Sequence, residues 1–149
     1  MKAWLIKKFI DKNVVFKFFP KGELITEDIP FDVPEAEIRR YHNLSAFEYL
    51  MKKYNRPLSK VNFYPIKSRM KSQFCKRSNI TDPAVRKIGE IIHDLEINYW
   101  GTKSVKDSQK INDAVQKIVA DSRSAQESLE KSFIFFDNLF SEFKLTIQN

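Results

Sequence analysis

The apolar pattern of the first thirty residues predicts a β-meander. Residues 3–10, 14–19 and 24–29 form three short runs rich in apolar, β-branched and aromatic side chains. The turn-forming sequences Asp11-Lys12-Asn13 and Pro20-Lys21-Gly22 separate these runs. We therefore expect an antiparallel sheet of about three strands within residues 1–31.

Helical signals begin at residue 32. Asp32, followed by Pro34 and Glu35, has the pattern of a helix start and predicts a short helix that ends near Tyr41. Ser45 and Glu48 match a capping box, which predicts a second helix over residues 46–54. Short middle helices are therefore expected within residues 32–56.

The region after residue 80 is predicted to be helical throughout. Asp82 and Pro83 mark a helix start, and Gly101 is a suitable C-terminal cap for the same helix. The apolar stripe of this helix is Val85, Ile88, Ile92, Leu95 and Tyr99.

A second apolar stripe alternates spacings of four and three from Ile111 to Phe143. It is long enough for a single helix of about forty residues, beginning near Ser104. The polar stretch 121–128 weakens this stripe, so two helices joined by a bend are the alternative. We therefore predict one α+β domain over residues 1–149, with a helical hairpin or bundle in residues 80–149.

The C-terminal end of this stripe is apolar around much of the helix circumference, which is typical of a helix covered by something else. It packs against the chain's own sheet, or it forms the interface of a homodimer or of a complex with a partner. The residues concerned are Phe133, Phe136, Leu139, Phe140 and Phe143.

The charge of the chain is unevenly distributed. The formal net charge is +7, and lysines outnumber arginines by 19 to 7, as AT-rich coding sequences favour in any protein. Codon bias does not explain residues 51–79, which hold nine basic residues and no acidic one, whereas residues 80–149 hold eleven acidic residues. We call residues 51–79 the basic segment.

The composition of the basic segment predicts binding to a polyanion. Pro57 and Pro65 interrupt any helical period, so we expect loop over residues 57–79. Lysine and arginine neutralise phosphates, and aromatic rings stack on unpaired bases. A solvated surface that balances the acidic helices, or a site for an acidic protein, would have the same composition. The predicted anion-binding residues are Lys52, Lys53, Arg56, Lys60, Phe63, Tyr64, Lys67, Arg69, Lys71, Phe74, Lys76 and Arg77.

Catalytic signals are weak, and we predict no enzyme activity, no cofactor and no metal site. The two histidines, His42 and His93, lie in no known metal or triad pattern, and there is no glycine-rich phosphate loop. Arg86, followed by His93 after six intervening residues, resembles the R-x4-6-H motif of HEPN ribonucleases. That resemblance covers two residues and implies a helical ribonuclease that would use this pair.

The location of the protein is predicted to be the cytoplasm. Cys75 is the single cysteine, which excludes an intramolecular disulfide, and no apolar run is long enough to span a membrane. The leading hypothesis is a small non-enzymatic accessory protein, compatible with a phage or mobile-element origin, that docks on nucleic acid or on a complex containing it. The alternative is an inhibitor or adaptor that blocks the nucleic-acid site of a host enzyme.

Overall fold

The structure of the protein, a computed structural model, describes residues 1–20, 22–23, 26–54, 82–98 and 107–148. These residues form a mostly helical fold, and their β pairing is limited to two isolated bridges, Phe31–Ile38 and Tyr41–Leu44. The predicted α+β fold is therefore wrong. The helices are α1 (Lys2–Leu5), which continues as a π-helical turn (Ile6–Ile10), α2 (Ala46–Tyr54), α3 (Pro83–His93), which continues as a π-helical turn (Asp94–Asn98), α4 (Ser108–Ala120) and α5 (Ala125–Gln148).

The first predicted strand, residues 3–10, is helical. Three consecutive residues, Ala3, Trp4 and Leu5, are buried, which a strand with one solvent-exposed face would not allow. The Trp4 ring lies 5.6 Å from the ring of Phe9 and 5.9 Å from that of Phe136 in α5. Packing against α5, rather than β propensity, therefore decides the conformation of this segment.

The second predicted strand, residues 14–19, has no regular secondary structure and pairs with no neighbouring strand in the described chain. Phe16 turns inward and contacts Phe31 at 5.9 Å and Phe133 at 6.0 Å between ring centroids, while Val15 and Phe18 are exposed. This segment therefore packs on α5 through Phe16 and not on a neighbouring strand. In the third predicted strand, residues 24 and 25 lie outside the described residues, and residues 26–29 form a bend without strand pairing.

The helix predicted from Asp32 to Tyr41 is replaced by turns. Asp32 has a φ of 63°, in the left-handed region, so it does not act as a helix cap. Its backbone N–H donates to the Ile38 carbonyl at 2.7 Å, and its carboxylate lies 2.5 Å from Lys2 Nζ. Because Ile38 is buried, this loop is attached to the core at that point.

Helices α2 and α3 confirm the two predicted starts. The Asp82 carboxylate accepts from the Ala84 N–H at 2.9 Å at the beginning of α3. The two helices approach closely at Gly89, where an added Cβ would lie 3.2 Å from Met51 Sδ and 3.3 Å from Phe47 Cε1. The predicted end of α3 near Gly101 lies outside the described residues.

The long C-terminal stripe forms two helices, so the bend, rather than a single long helix, is observed. Helix α4 ends at Ala120 and α5 begins at Ala125, within the polar stretch that the sequence marked. The predicted start near Ser104 lies outside the described residues. Helix α5 packs on α3, α4 and α1, and its buried side chains include Phe136, Phe140 and Phe143.

One core joins all five helices. Helix α3 contributes the most buried apolar side chains to it, α2 contributes Phe47 and Leu50, and α4 contributes Ile111. At the edge, Trp4 Nε1 donates to Asp137 Oδ1 at 2.9 Å, and Lys8 pairs with the same carboxylate. The core thus fixes α2 in position, and α2 is the helix that leads into the basic segment.

Candidate nucleic-acid interface

Two of the predicted anion-binding residues belong to α2 and can be placed. Lys52 is exposed, and the side chain of Lys53 is 25% exposed, so both reach the surface on the last turns of the helix. The other predicted residues lie outside the described residues, as does Cys75. They are Arg56, Lys60, Phe63, Tyr64, Lys67, Arg69, Lys71, Phe74, Lys76 and Arg77.

The start of α2 is fixed by the predicted capping box. The backbone N–H of Ser45 donates to Glu48 Oε2 at 2.9 Å, and the Glu48 N–H donates back to Ser45 Oγ at 3.2 Å. Ser45 is fully buried, and its hydroxyl also donates to Glu48 Oε2 at 2.9 Å. This reciprocal arrangement satisfies two N–H donors that the first turn of a helix leaves unpaired.

The same carboxylate connects α2 to α3. His93 Nδ1 lies 2.7 Å from Glu48 Oε2, and both side chains are 29% exposed. Burial pushes the pKa of Glu48 upward, but the hydrogen bonds from His93 and Ser45 outweigh it and hold that pKa below its usual value. The pair therefore favours an ionised Glu48 and fixes the orientation of α2.

A cluster of tyrosines and cations covers the outer face of α2. Glu37 Oε1 accepts from the Tyr49 hydroxyl at 2.7 Å and from Lys53 Nζ at 2.8 Å. Lys53 Nζ also lies 5.8 Å from the ring centroids of Tyr49 and Tyr54. Hydrogen bonds from Lys53 and Tyr49 lower the pKa of Glu37, whereas burial and the bond to Glu37 raise that of Tyr49.

The loop before α2 adds a third tyrosine to this cluster. The Tyr41 ring lies 5.4 Å from that of Tyr49 with a tilt of 33°, and the Arg39 guanidinium carbon is 5.2 Å from the Tyr41 ring centroid. A tight turn sets this position, because the Tyr41 N–H donates to the Leu44 carbonyl at 2.9 Å. We call Arg39, Tyr41, Tyr49, Lys53 and Tyr54 the tyrosine–cation surface.

Sequence reasoning missed this surface because it placed Tyr41 at the end of a helix. His42 is instead exposed at the turn between Tyr41 and Leu44. The i, i+4 spacing of Tyr49 and Lys53 was a usable signal, since residues four apart on a helix are neighbours. No sequence pattern indicated that Arg39 and Tyr41 would join them.

The predicted partner interface on α5 is largely occupied by the chain itself. Phe136, Phe140 and Phe143 are buried in the core, and Phe133 and Leu139 are partly buried against it. The exposed apolar residues of α5 are Ile134, Leu145 and Ile147, on other positions of the helix. Contacts of this helix with a second copy stay a prediction, and these exposed residues are the ones free to make them.

Arg86 and His93 lie on the same helix, about 10 Å apart along its axis at 1.5 Å per residue. Arg86 is exposed, whereas His93 is paired with Glu48. The ribonuclease reading of this pair stays a prediction.

Within the described ranges, no three histidine, cysteine or acidic side chains are grouped so that they could hold a metal ion. None of the helices in that part of the chain combines the length and the hydrophobicity that crossing a bilayer requires.

Comparison with known proteins identifies a family. Searches of curated proteins and of solved structures returned no match. The family model described as ChrB, C-terminal domain, matches residues 2–63 and 69–143. The match includes α1, α2 and α3, the tyrosine–cation surface and most of the basic segment. The chain therefore belongs to the ChrB C-terminal domain family.

Proposed function

We propose that the protein is a non-enzymatic docking protein that binds nucleic acid, or a complex containing it, through the basic segment. The observation that carries this proposal is the separation of charge: nine basic and no acidic residues in residues 51–79, beside a region with more acidic than basic residues. Such a stretch releases counterions from a phosphate backbone, which gives affinity without base specificity. A protein of this kind would act in the cytoplasm.

The described geometry supports the proposal at the start of the segment. Helix α2 is fixed by the Ser45–Glu48 capping box and by the Glu48–His93 contact, so Lys52 and Lys53 project from a rigid element. Lys52 is exposed. Cations on a fixed support lose less conformational entropy when they bind than cations on a free chain do.

Charge reversal tests the proposal. In fluorescence anisotropy with a labelled oligonucleotide, the triple variant Lys67→Glu, Arg69→Glu and Lys71→Glu should weaken binding at least tenfold at low salt, because each reversal removes an attraction and adds a repulsion. The matched control is Lys12→Glu, Lys110→Glu and Lys117→Glu, three exposed lysines outside the segment. This control carries the same change in net charge.

The two triple variants separate a local site from a global charge effect. Weak binding by the segment variant alone supports docking through the basic segment. Equal loss in both variants, or no binding of DNA or RNA by the unaltered protein at low salt, would overturn the proposal. Recovery of a stable protein partner without nucleic acid would favour the inhibitor or adaptor function instead.

Family membership favours a second candidate function, in which the basic segment binds chromate. The ChrB family is associated with chromate resistance. Chromate is a doubly charged oxyanion, so a segment that attracts phosphate would also attract chromate. In this case chromate should release a bound oligonucleotide at concentrations at which sulfate, a dianion of the same shape, does not. Equal release of the oligonucleotide by chromate and sulfate would indicate ionic screening alone and would rule out specific chromate binding.

A further inference from the structure

We infer that the tyrosine–cation surface is a stacking platform for unpaired bases, so that the protein prefers single-stranded nucleic acid over duplex. This inference rests on the proposed function, in which the basic segment binds nucleic acid. It adds a second contact, made by rings rather than by charge, and it defines the class of nucleic acid.

The Tyr41 ring is the central element of the platform. It packs on Tyr49 at 5.4 Å, but unlike Tyr49 it is not part of the apolar core cluster. Arg39 lies over the ring at 5.2 Å, and His42 is exposed next to it in the turn. Aromatic rings and guanidinium planes are the groups on which proteins stack splayed bases.

Cations stand beside the rings. Lys53 lies 5.8 Å from the rings of both Tyr49 and Tyr54, and Lys52 is exposed at the adjacent position of α2. Glu37 accepts hydrogen bonds from Lys53 and Tyr49, so it fixes the position of both side chains. Sites for single strands combine such a stacking group with neighbouring positive charge.

The platform is continuous in sequence with the basic segment. Tyr49, Lys53 and Tyr54 lie on the final turns of α2, and Arg56 follows two residues after the end of this helix. The platform therefore borders, in sequence, a region without carboxylates. A site made of charge alone would favour duplex, because a duplex has the higher phosphate density.

The preference for single-stranded over duplex nucleic acid, measured before and after substitution of Tyr41, tests the inference. Anisotropy is measured with a mixed-sequence single strand of about 20 nucleotides and with the duplex of the same sequence, since one such site covers about 4–16 nucleotides. Tyr41→Ala should weaken single-strand binding about 5- to 150-fold, the range that corresponds to about 1–3 kcal/mol for loss of one stacked base. Its duplex affinity should change by less than about twofold, because paired bases do not reach the ring.

Two further variants separate stacking from other roles of Tyr41. Tyr41→Phe keeps the ring and loses the hydroxyl that donates to the Glu37 carbonyl, so it should retain single-strand affinity. Phe18→Ala removes an exposed ring from another surface and should leave binding unchanged. Thermal unfolding of each variant shows that the fold is intact.

The outcomes for this inference and for the proposed function differ. If both nucleic acids bind but Tyr41→Ala affects them equally, or affects neither, the platform is absent while docking through the basic segment stands. Preference of the unaltered protein for duplex overturns the platform in the same way. Failure of both nucleic acids to bind overturns the proposed function together with the platform.

Discussion

Two of the aromatic clusters in the described part of the chain lie beside positive charge. In the first, Trp4 packs on Phe136 and Phe140, and Lys8 Nζ lies 4.9 Å from the Phe140 ring centroid. In the second, Tyr41 packs on Tyr49 beside Arg39 and Lys53. Trp4, Phe136 and Phe140 are buried members of the core, whereas Tyr41 and Tyr49 are half-buried at its edge.

The difference shows that a cation near a ring does not by itself indicate a ligand site. Lys8 is neutralised by Asp137, which also accepts from Trp4, so this group closes the edge of the core. At the second cluster Lys53 is paired with Glu37, but Lys52 on the same helix is exposed, and the sequence of residues 51–79 holds nine basic residues and no acidic one. Solvent access and excess charge therefore distinguish the proposed binding surface from the structural cluster.

The largest effect on stability is expected in the buried cluster. Phe136 is 1% exposed, so Phe136→Ala should reduce the free energy of unfolding by about 3–5 kcal/mol, the usual cost of removing a buried ring. Ile134→Ala, on the same helix at a position 64% exposed, should change it by no more than about 0.5 kcal/mol. Urea denaturation measures both, and similar values for the two variants would contradict the assigned core.

A smaller loss is expected from the capping box that fixes α2. Ser45→Ala removes two hydrogen bonds at the helix start and should cost about 0.5–2 kcal/mol in urea denaturation. Ser124→Ala, which removes the bond from the Glu127 N–H at the start of α5, is the matched control. Both should destabilise the protein, but only Ser45→Ala should also weaken nucleic-acid binding. Equal nucleic-acid binding by the two variants would contradict the assignment of α2 to the proposed interface.

The acid dependence of stability should report on Glu48. Its pKa in the folded protein lies below the usual value of 4.5, so its stabilising effect is complete above that pH and is lost as the pH falls through the lowered value. The difference in unfolding free energy between the unaltered protein and Glu48→Gln should therefore shrink below about pH 4.5. Urea denaturation at several pH values measures it, and a constant difference would contradict the assigned pairing with His93.

The smallest stability change is expected at the second cluster. Tyr41 lies outside the core, so Tyr41→Ala should alter the free energy of unfolding by less than about 1 kcal/mol. Urea denaturation checks this value. A loss comparable to that of Phe136→Ala would make Tyr41 a structural residue and remove the contrast between the clusters.

The success of the sequence predictions depended on whether local chemistry decided the conformation. The caps at Ser45 and Asp82 follow from hydrogen bonding within a few residues, and these predictions are confirmed. The choice between one helix and two near residue 121 was left open by the sequence, and the structure has two. Residues 3–10 were wrongly predicted because Trp4 and Leu5 respond to a contact with α5, more than a hundred residues away in the chain.

The features of the candidate site likewise divide into those that could be predicted from the sequence and those that could not. The excess of charge in the basic segment could be read directly from the sequence, and so could Lys52 and Lys53 on α2. The position of Tyr41 could not, because it depends on the turn to Leu44 and on the attachment of the preceding loop through Ile38. A loop of that kind has no periodicity from which its side-chain directions could be predicted.

The salt dependence of nucleic-acid binding tests the central claim most directly. The slope of log affinity against log salt concentration, measured between about 50 and 200 mM, should be steep for the unaltered protein, at about −0.7 to −0.9 for each phosphate neutralised. It should become shallower by about two to three in the variant Lys67→Glu, Arg69→Glu and Lys71→Glu. A slope near zero, or an equal slope for the two proteins, would contradict docking through the basic segment.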